Sequence, residues 1–172
     1  MPDPSVTFRR LAAGDAGLLR GLSAVFADAF ADGGTDRGDP PTDADLERLL
    51  AREHVIAVAA LTEGRVLGGL VAYELDTLER MRREIYLYDL AVAPEYRRRR
   101  VATGAIDHLR GIAARRGAHA IFVQADRGDE PAIALYGTLG TRQEVLHFDL
   151  DVGPRRPPGR SPPQPGRPPS MR

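Results

Sequence analysis

The chain has 172 residues and no cysteine. That length suffices for one domain with a substantial core, and the missing thiol excludes disulfides, a thiolate metal cluster and a cysteine acyl-enzyme. The formal net charge of zero conceals an asymmetry: residues 1–150 hold 19 Arg against 23 Asp and Glu, a net of −4, while residues 151–172 hold 5 Arg against 1 Asp, a net of +4. An acidic folded part argues against nucleic acid as partner and suits a cationic small molecule. No apolar run approaches a membrane span and the first residues lack a signal-peptide core, so a soluble, cytoplasmic protein without a membrane partner is expected.

Residues 5–11 read as a short first strand. Gly14-Asp15 then starts a helix to about Phe30, with Leu18, Leu19, Leu22, Val25, Phe26 and Phe30 at helical spacing. Residues 31–41 hold three Gly, two Pro and three Asp, the composition of a loop. This acidic loop between two helices is either a substrate lid or an ordinary surface loop. Thr42, with Asp45 three residues on, has the form of a capping box for a second helix over 43–52.

Residues 54–61 form a strand, 62–65 a hairpin turn and 66–75 the returning partner. Residues 76–83 are charged and are assigned to a loop or short helix. Residues 85–93 are apolar and aromatic with one charge, Asp89, and read as a buried strand ended by Pro94. Residues 101–116 form a helix with Ile106, Leu109 and Ile112 inward, stopped by Gly117. A strand over 118–125 and a tight loop over 126–130 follow. Pro131 opens a short helix that runs to Leu139 and closes at Gly140. Residues 142–150 read as a last strand. From Asp151 on, eight of 22 residues are proline and the apolar periodicity ends, which predicts a folded domain over 1–151 and a disordered Pro/Arg-rich tail over 152–172. This order fits an α/β fold, a mixed central sheet with helices on both faces.

The chain is organised around residues 84–103, EIYLYDLAVAPEYRRRRVAT. A strand here delivers a turn with four arginines to a helix N-terminus. The free N–H groups and the dipole of such a terminus favour an anion. Two readings stay open for Arg97, Arg98, Arg99 and Arg100. They are a solvated or nucleic-acid-binding helix start, or a cradle for the pyrophosphate of a nucleotide cofactor.

The flanking residues carry a resemblance. The order DLAV, arginine turn, Val101-Ala102-Thr103 resembles the acetyl-CoA signature of the GCN5-related N-acetyltransferases. Their pattern, Arg/Gln-x-x-Gly-x-Gly/Ala, falls on Arg97, Arg100, Val101 and Ala102, with Arg100 where the family has glycine. Residues 129–136, DEPAIALY, resemble the second signature, Asn-x-x-Ala-x-x-Leu-Tyr, with Asp129 in place of asparagine. More narrowly, EIYLYDLAV, IFVQAD, GDEPAIALY and EVLHFDLD resemble the aminoglycoside 3-N-acetyltransferases of the gentamicin-resistance type. The resemblance runs from about Val6 to Asp151.

It implies a fold in which two neighbouring parallel strands splay apart to admit the pantetheine arm of acetyl-CoA, the co-substrate. Leu90, Ala91 and Val92 would bond that arm and the acetyl carbonyl through backbone groups. Arg97 to Thr103 would wrap the pyrophosphate, and Asp129 would stand at the second signature. Tyr136 is the family's candidate acid for the departing thiolate, or a tyrosine packed in the core. No metal is implied.

An aminoglycoside carries several ammonium groups, so carboxylates should line its site. Candidates are Glu84, Asp126, Asp149 and Asp151. Alternation puts Val145, His147, Asp149 and Asp151 on one face of the last strand and Glu144 on the other. Asp89, a charge inside an apolar run, is nominated as the base for the attacked amine; its rival role is a structural carboxylate in a strand bulge. His147 is an alternative base. The expected activity is acetylation of an aminoglycoside by direct transfer. Acetylation of another polyamine or protein amine, or non-catalytic acyl-CoA binding, stays open, as does a homodimer.

Overall fold

The computed structural model describes residues 6–30, 40–150 and 153. The expected tail, Asp151 and most of the expected acidic loop lie outside them. By contacts the chain divides after Gln124, with residues 6–30 and 40–124 in one unit and 125–150 in another.

The first unit holds β1 (Thr7–Arg10), α1 (Ala16–Ala29), α2 (Asp43–Leu50), β2 (Val55–Thr62), β3 (Arg65–Thr77), β4 (Arg82–Val92), α3 (Val101–Arg115) and β5 (Ala120–Val123). The strands make one sheet in chain order, antiparallel from β1 through β4, with β5 parallel to β4. β2 is buried on both faces, which explains its unbroken apolar run VIAVAAL. Leu19, Leu22 and Leu46 of the first two helices pack with Val55, Ala57, Ala59, Leu61 and Val71 on one face. Ala60, Val92 and Val101 pack together on the other, beneath α3.

Local sequence chemistry sets the helix ends. Thr42 Oγ1 accepts from Asp45 N–H at 3.2 Å, and Asp45 accepts in return from Thr42 N–H at 2.9 Å, so the capping box forms as expected. Glu47 of α2 reaches across to accept the N–H groups of Gly14 (2.9 Å) and Ala16 (3.3 Å) at the start of α1. Gly117 takes φ +69° just past α3, the left-handed stop its position predicts.

Residues 76–83 correct the sequence reading. They are neither loop nor helix: β3 runs on to Thr77, β4 begins at Arg82, and only 78–81 turn between them. The charges are absorbed by pairing. Glu74, with a side chain only 7% exposed, binds Arg83 (3.0 Å) and Arg116 at the end of α3. The Arg116 hydrogen bond, above all, holds the Glu74 carboxyl below its ordinary pKa.

In the second unit α4 (Glu130–Leu139) is capped by Asp129, which accepts from Ala132 N–H at 3.1 Å. The strand expected over 142–150 is absent. Val145, Leu146, Phe148 and Leu150 are exposed, and no strand pairs with this segment among the described residues. Alternation marks which side chains would share a face of a strand; it does not by itself supply the ladder partner.

Candidate active site

The sheet opens between its two parallel strands. β5 pairs with β4 only over Glu84 to Leu87. The second half of β4, Tyr88 to Val92, keeps its antiparallel partner β3 but has no strand on its other side among the described residues. Leu90, Ala91 and Val92 lie in this half. An unpaired strand edge of this kind can bond an extended ligand.

Beyond Val92 the chain makes one 3₁₀ turn, Pro94–Tyr96, and enters the arginines. φ is positive at Arg98 (59°) and Arg100 (64°) but not at Arg99 between them. Alternating backbone hand turns successive N–H groups to one side, a concavity that binds anions. Arg100 is the residue before α3 and makes no side-chain cap, so the N–H groups of Val101, Ala102 and Thr103 emerge beside it. This concavity and the free edge of β4 fit the pyrophosphate and the extended arm of acetyl-CoA.

The four arginine side chains are placed unequally. Arg97 Nε–H donates to the Val92 carbonyl at 3.0 Å, tying the turn to the end of β4. Arg99 lies over the Tyr96 ring at 5.6 Å, with Arg65 also against that ring at 5.8 Å. Arg100 lines an open cleft of about 310 Å³ with Phe8, Thr103 and His108. Burial pushes the His108 pKa down, helped by Arg115.

At Arg100 the backbone is left-handed, not the right-handed form of the helical residues that follow it. Its left-handed φ suits the glycine of the signature, and a side chain there costs roughly 1–2 kcal/mol. Arg100→Gly relieves that strain but loosens the unfolded chain by about 0.4–1 kcal/mol. The expected net result is a gain of up to about 1.5 kcal/mol in denaturant unfolding. A clear loss of stability would show that the arginine side chain holds the turn.

Asp89 sits at an irregularity. Val71 of β3 faces Asp89, while its neighbour Ala72 faces Leu87, so Tyr88 is an extra residue. A bulge of one residue inverts the alternation beyond it. Tyr86 and Asp89, three apart, therefore both point to the face of α1 and α2. Tyr73 of β3 and Phe122 of β5 stand on either side of Tyr86 on that face.

The rings touch. Tyr88 meets Tyr73 and Tyr86 edge-on at 5.6 and 5.4 Å, and Tyr86 stacks on Phe122 at 4.8 Å. The Tyr86 hydroxyl donates to Gln124 at 2.7 Å. Burial raises the Asp89 pKa, and burial and then the Asp89 charge raise that of Tyr73. For Tyr86 the causes are burial, then Tyr88, then Asp89. Sequence reasoning singled out Asp89 and missed this cluster. Tyr86 and Tyr88 were visible in YLYD, but Tyr73 and Phe122 join them only through the strand register. Glu84 lies on the same face, five residues and roughly 15 Å before Asp89, and so does not adjoin it.

Tyr136, Asp126, Asp129 and Asp149 belong to the second unit. Tyr136 stands on α4, and burial, with the Asp129 charge, pushes its phenol up to about 12. Asp129 serves as the cap of α4, and Asp126 contributes its carbonyl to Asp129 N–H at 3.0 Å. With no last strand, the expected shared face of Val145, His147 and Asp149 does not form. Asp149 instead approaches His147 Nε2 at 3.1 Å, and Glu144 pairs with Arg142 at 2.8 Å. Among the described residues no cluster of side chains could hold a metal ion, and no helix is long and apolar enough to cross a membrane.

Comparison with known proteins agrees with this geometry. HMB0005, an aminoglycoside acetyltransferase from an uncultured soil metagenomic sample, is 49% identical with a TM-score of 0.82, covering 87% of this chain and 99% of its own. A second such enzyme from an uncultured soil metagenomic sample, meta-AAC0020 in complex with sisomicin, is 25% identical with a TM-score of 0.80, covering 87% and 97%. The ribosomal-protein-alanine N-acetyltransferase of Brucella melitensis biovar Abortus 2308, 23% identical with a TM-score of 0.69 over 85% and 99%, shares the fold. Among curated proteins none matches. The acetyltransferase (GNAT) family matches residues 22–141, and with the open parallel pair and the anion-binding turn in place the chain belongs to that family, whose members use acetyl-CoA as co-substrate.

Proposed function

We propose that the protein acetylates an aminoglycoside antibiotic at its 3-amino group, conferring resistance, by direct transfer in a ternary complex. The observation that carries this reading is Asp89, a half-buried carboxylate three residues from the end of the unpaired strand edge. The likeness to HMB0005 supports an aminoglycoside as acceptor. So does the acidic net charge of residues 1–150.

Acetyl-CoA, when bound, supplies the acetyl thioester. Leu90, Ala91 and Val92 offer backbone groups to its arm and acetyl oxygen. The concavity from Arg97 to Thr103 receives its pyrophosphate. Asp89 takes the proton of the attacking amine, directly or through a water; its raised pKa makes it a better base than an exposed aspartate. Asp129 acts by fixing the first turn of α4, the helix that carries Tyr136.

Tyr136 Oη–H donates to the departing sulfur. Its pKa of about 12 lies more than three pH units above the ordinary thiol value of about 8.5, so full proton transfer is uphill by more than a thousandfold. The phenol works as a hydrogen-bond donor and stays protonated through the neutral range. Tyr136→Phe should therefore lower kcat by about 10- to 100-fold, the worth of one hydrogen bond to a charged group. The shape of the pH profile should not change; unchanged turnover removes Tyr136 from the mechanism.

A thiol-release assay with a gentamicin-type acceptor tests the function, and NMR of the product locates the acetyl group. Turnover only with other polyamines or peptides assigns a different acceptor to the same site. Cofactor binding without turnover on any amine overturns the enzyme reading. Acetyl-CoA titrated by calorimetry should bind the natural protein and Arg100→Gly within about tenfold of each other, since both supply the same backbone N–H groups. Binding by the glycine variant alone would mark Arg100 as a lesion.

A further inference from the structure

We propose that Tyr88, buttressed by Tyr73 and Tyr86, forms with Asp89 a recognition site for an alkylammonium group. Three observations converge on it. Asp89 is half-buried and has no hydrogen-bond or ion-pair partner among the described residues. A carboxylate in that position is costly until a cation meets it. Tyr88 is 59% exposed where the sheet opens beside β4, so its ring is available to a ligand. Its ring is met edge-on by Tyr73 and Tyr86 at interplanar angles of 86° and 72°.

The bulge makes this geometry. Tyr88 is the extra residue, and its insertion brings the Asp89 carboxylate to the same face as the Tyr73 and Tyr86 rings. Aromatic rings are negative on their faces and attract cations there, more strongly where water is partly excluded. The rings and the carboxylate together select a positively charged, apolar-skirted nitrogen over a neutral group of the same shape. This deepens the proposed function, since the amine that reacts would be held as its ammonium against Tyr88 and Asp89 before Asp89 takes its proton.

Choline and its uncharged isostere, in which carbon replaces the nitrogen, test the site without presuming the acceptor. In NMR titrations up to tens of millimolar, choline should shift the ring signals of Tyr88, Tyr73 and Tyr86, and the isostere should not. Tyr88→Phe keeps the ring and should respond as the natural protein does; Tyr88→Leu should lose the response while unfolding at a similar temperature. With a gentamicin-type acceptor, Tyr88→Leu should raise KM about tenfold with kcat and the acetyl-CoA KM nearly unchanged. No choline-induced shift, equal shifts by the isostere, or loss of the response in Tyr88→Phe overturns the proposal, even where gentamicin is turned over. Choline binding together with no aminoglycoside turnover leaves the site standing and removes the aminoglycoside reading.

Discussion

Asp89→Asn is expected to lower turnover about 10²- to 10³-fold, the usual worth of a positioned general base. Acetyl-CoA should bind nearly as before, because the anion-binding turn is separate from the Asp89 side chain. The pH dependence carries a sign. Burial raises the Asp89 pKa, so its basic form is lost at a higher pH than for an exposed aspartate. Activity of the natural enzyme should rise with pH through that raised value and then level; in the variant this limb should vanish. Stability should run the other way. A carboxyl whose folded pKa is raised favours folding while protonated, and that contribution is lost as pH climbs through the folded pKa. Asp89→Asn should therefore be neutral or stabilising at pH 7. Full activity in Asp89→Asn, or a variant less stable than the natural protein at pH 7, would assign Asp89 to structure instead.

The second large effect is on folding. A Cβ added at Gly69 would stand 2.1 Å from the Val58 carbonyl oxygen, 3.1 Å from Ala59 Cα and 3.0 Å from a Leu22 methyl. The first two atoms are backbone of β2 and cannot rotate away. Gly69→Ala must spread β2 from β3 at the centre of the sheet or lift α1 off it. A loss of about 3 kcal/mol or more is expected, against the 1–3 typical of overpacking. In a domain of ordinary stability, about 5–15 kcal/mol, that removes from about a fifth to more than half of the margin. Chemical denaturation measures it, and a loss below about 1 kcal/mol would mean that the strands separate more freely than their packing implies.

What the residues foretold and what they hid divide along a physical line. The capping box at Thr42 and the left-handed stop at Gly117 depend on neighbours within four residues, and the sequence displays them. Features made by residues far apart in the chain stayed hidden. Residues 76–83 look like a loop because they are charged; the pairing of Glu74 with Arg83 and Arg116, which lets them continue as strands, spans 42 positions. Arg100 could be named as a departure from glycine, but its backbone hand depends on the whole turn. The tyrosine cluster needed the register of three strands and a bulge. The segment 142–150 alternates like a strand yet finds no ladder, a reminder that periodicity describes a candidate and pairing decides.

The extra residue in β4 has one more consequence. Before Tyr88 the side chains on the α3 face of β4 are the odd-numbered Ile85 and Leu87; after it they are the even-numbered Leu90 and Val92. A saturation scan along this strand should thus show its tolerance pattern slip by half a period at residue 88, like a wave crossing a phase plate. Deleting Tyr88 would restore unbroken alternation: Asp89 to Val92 would keep the faces and the β3 partners they have now, and the Tyr88 ring alone would be lost.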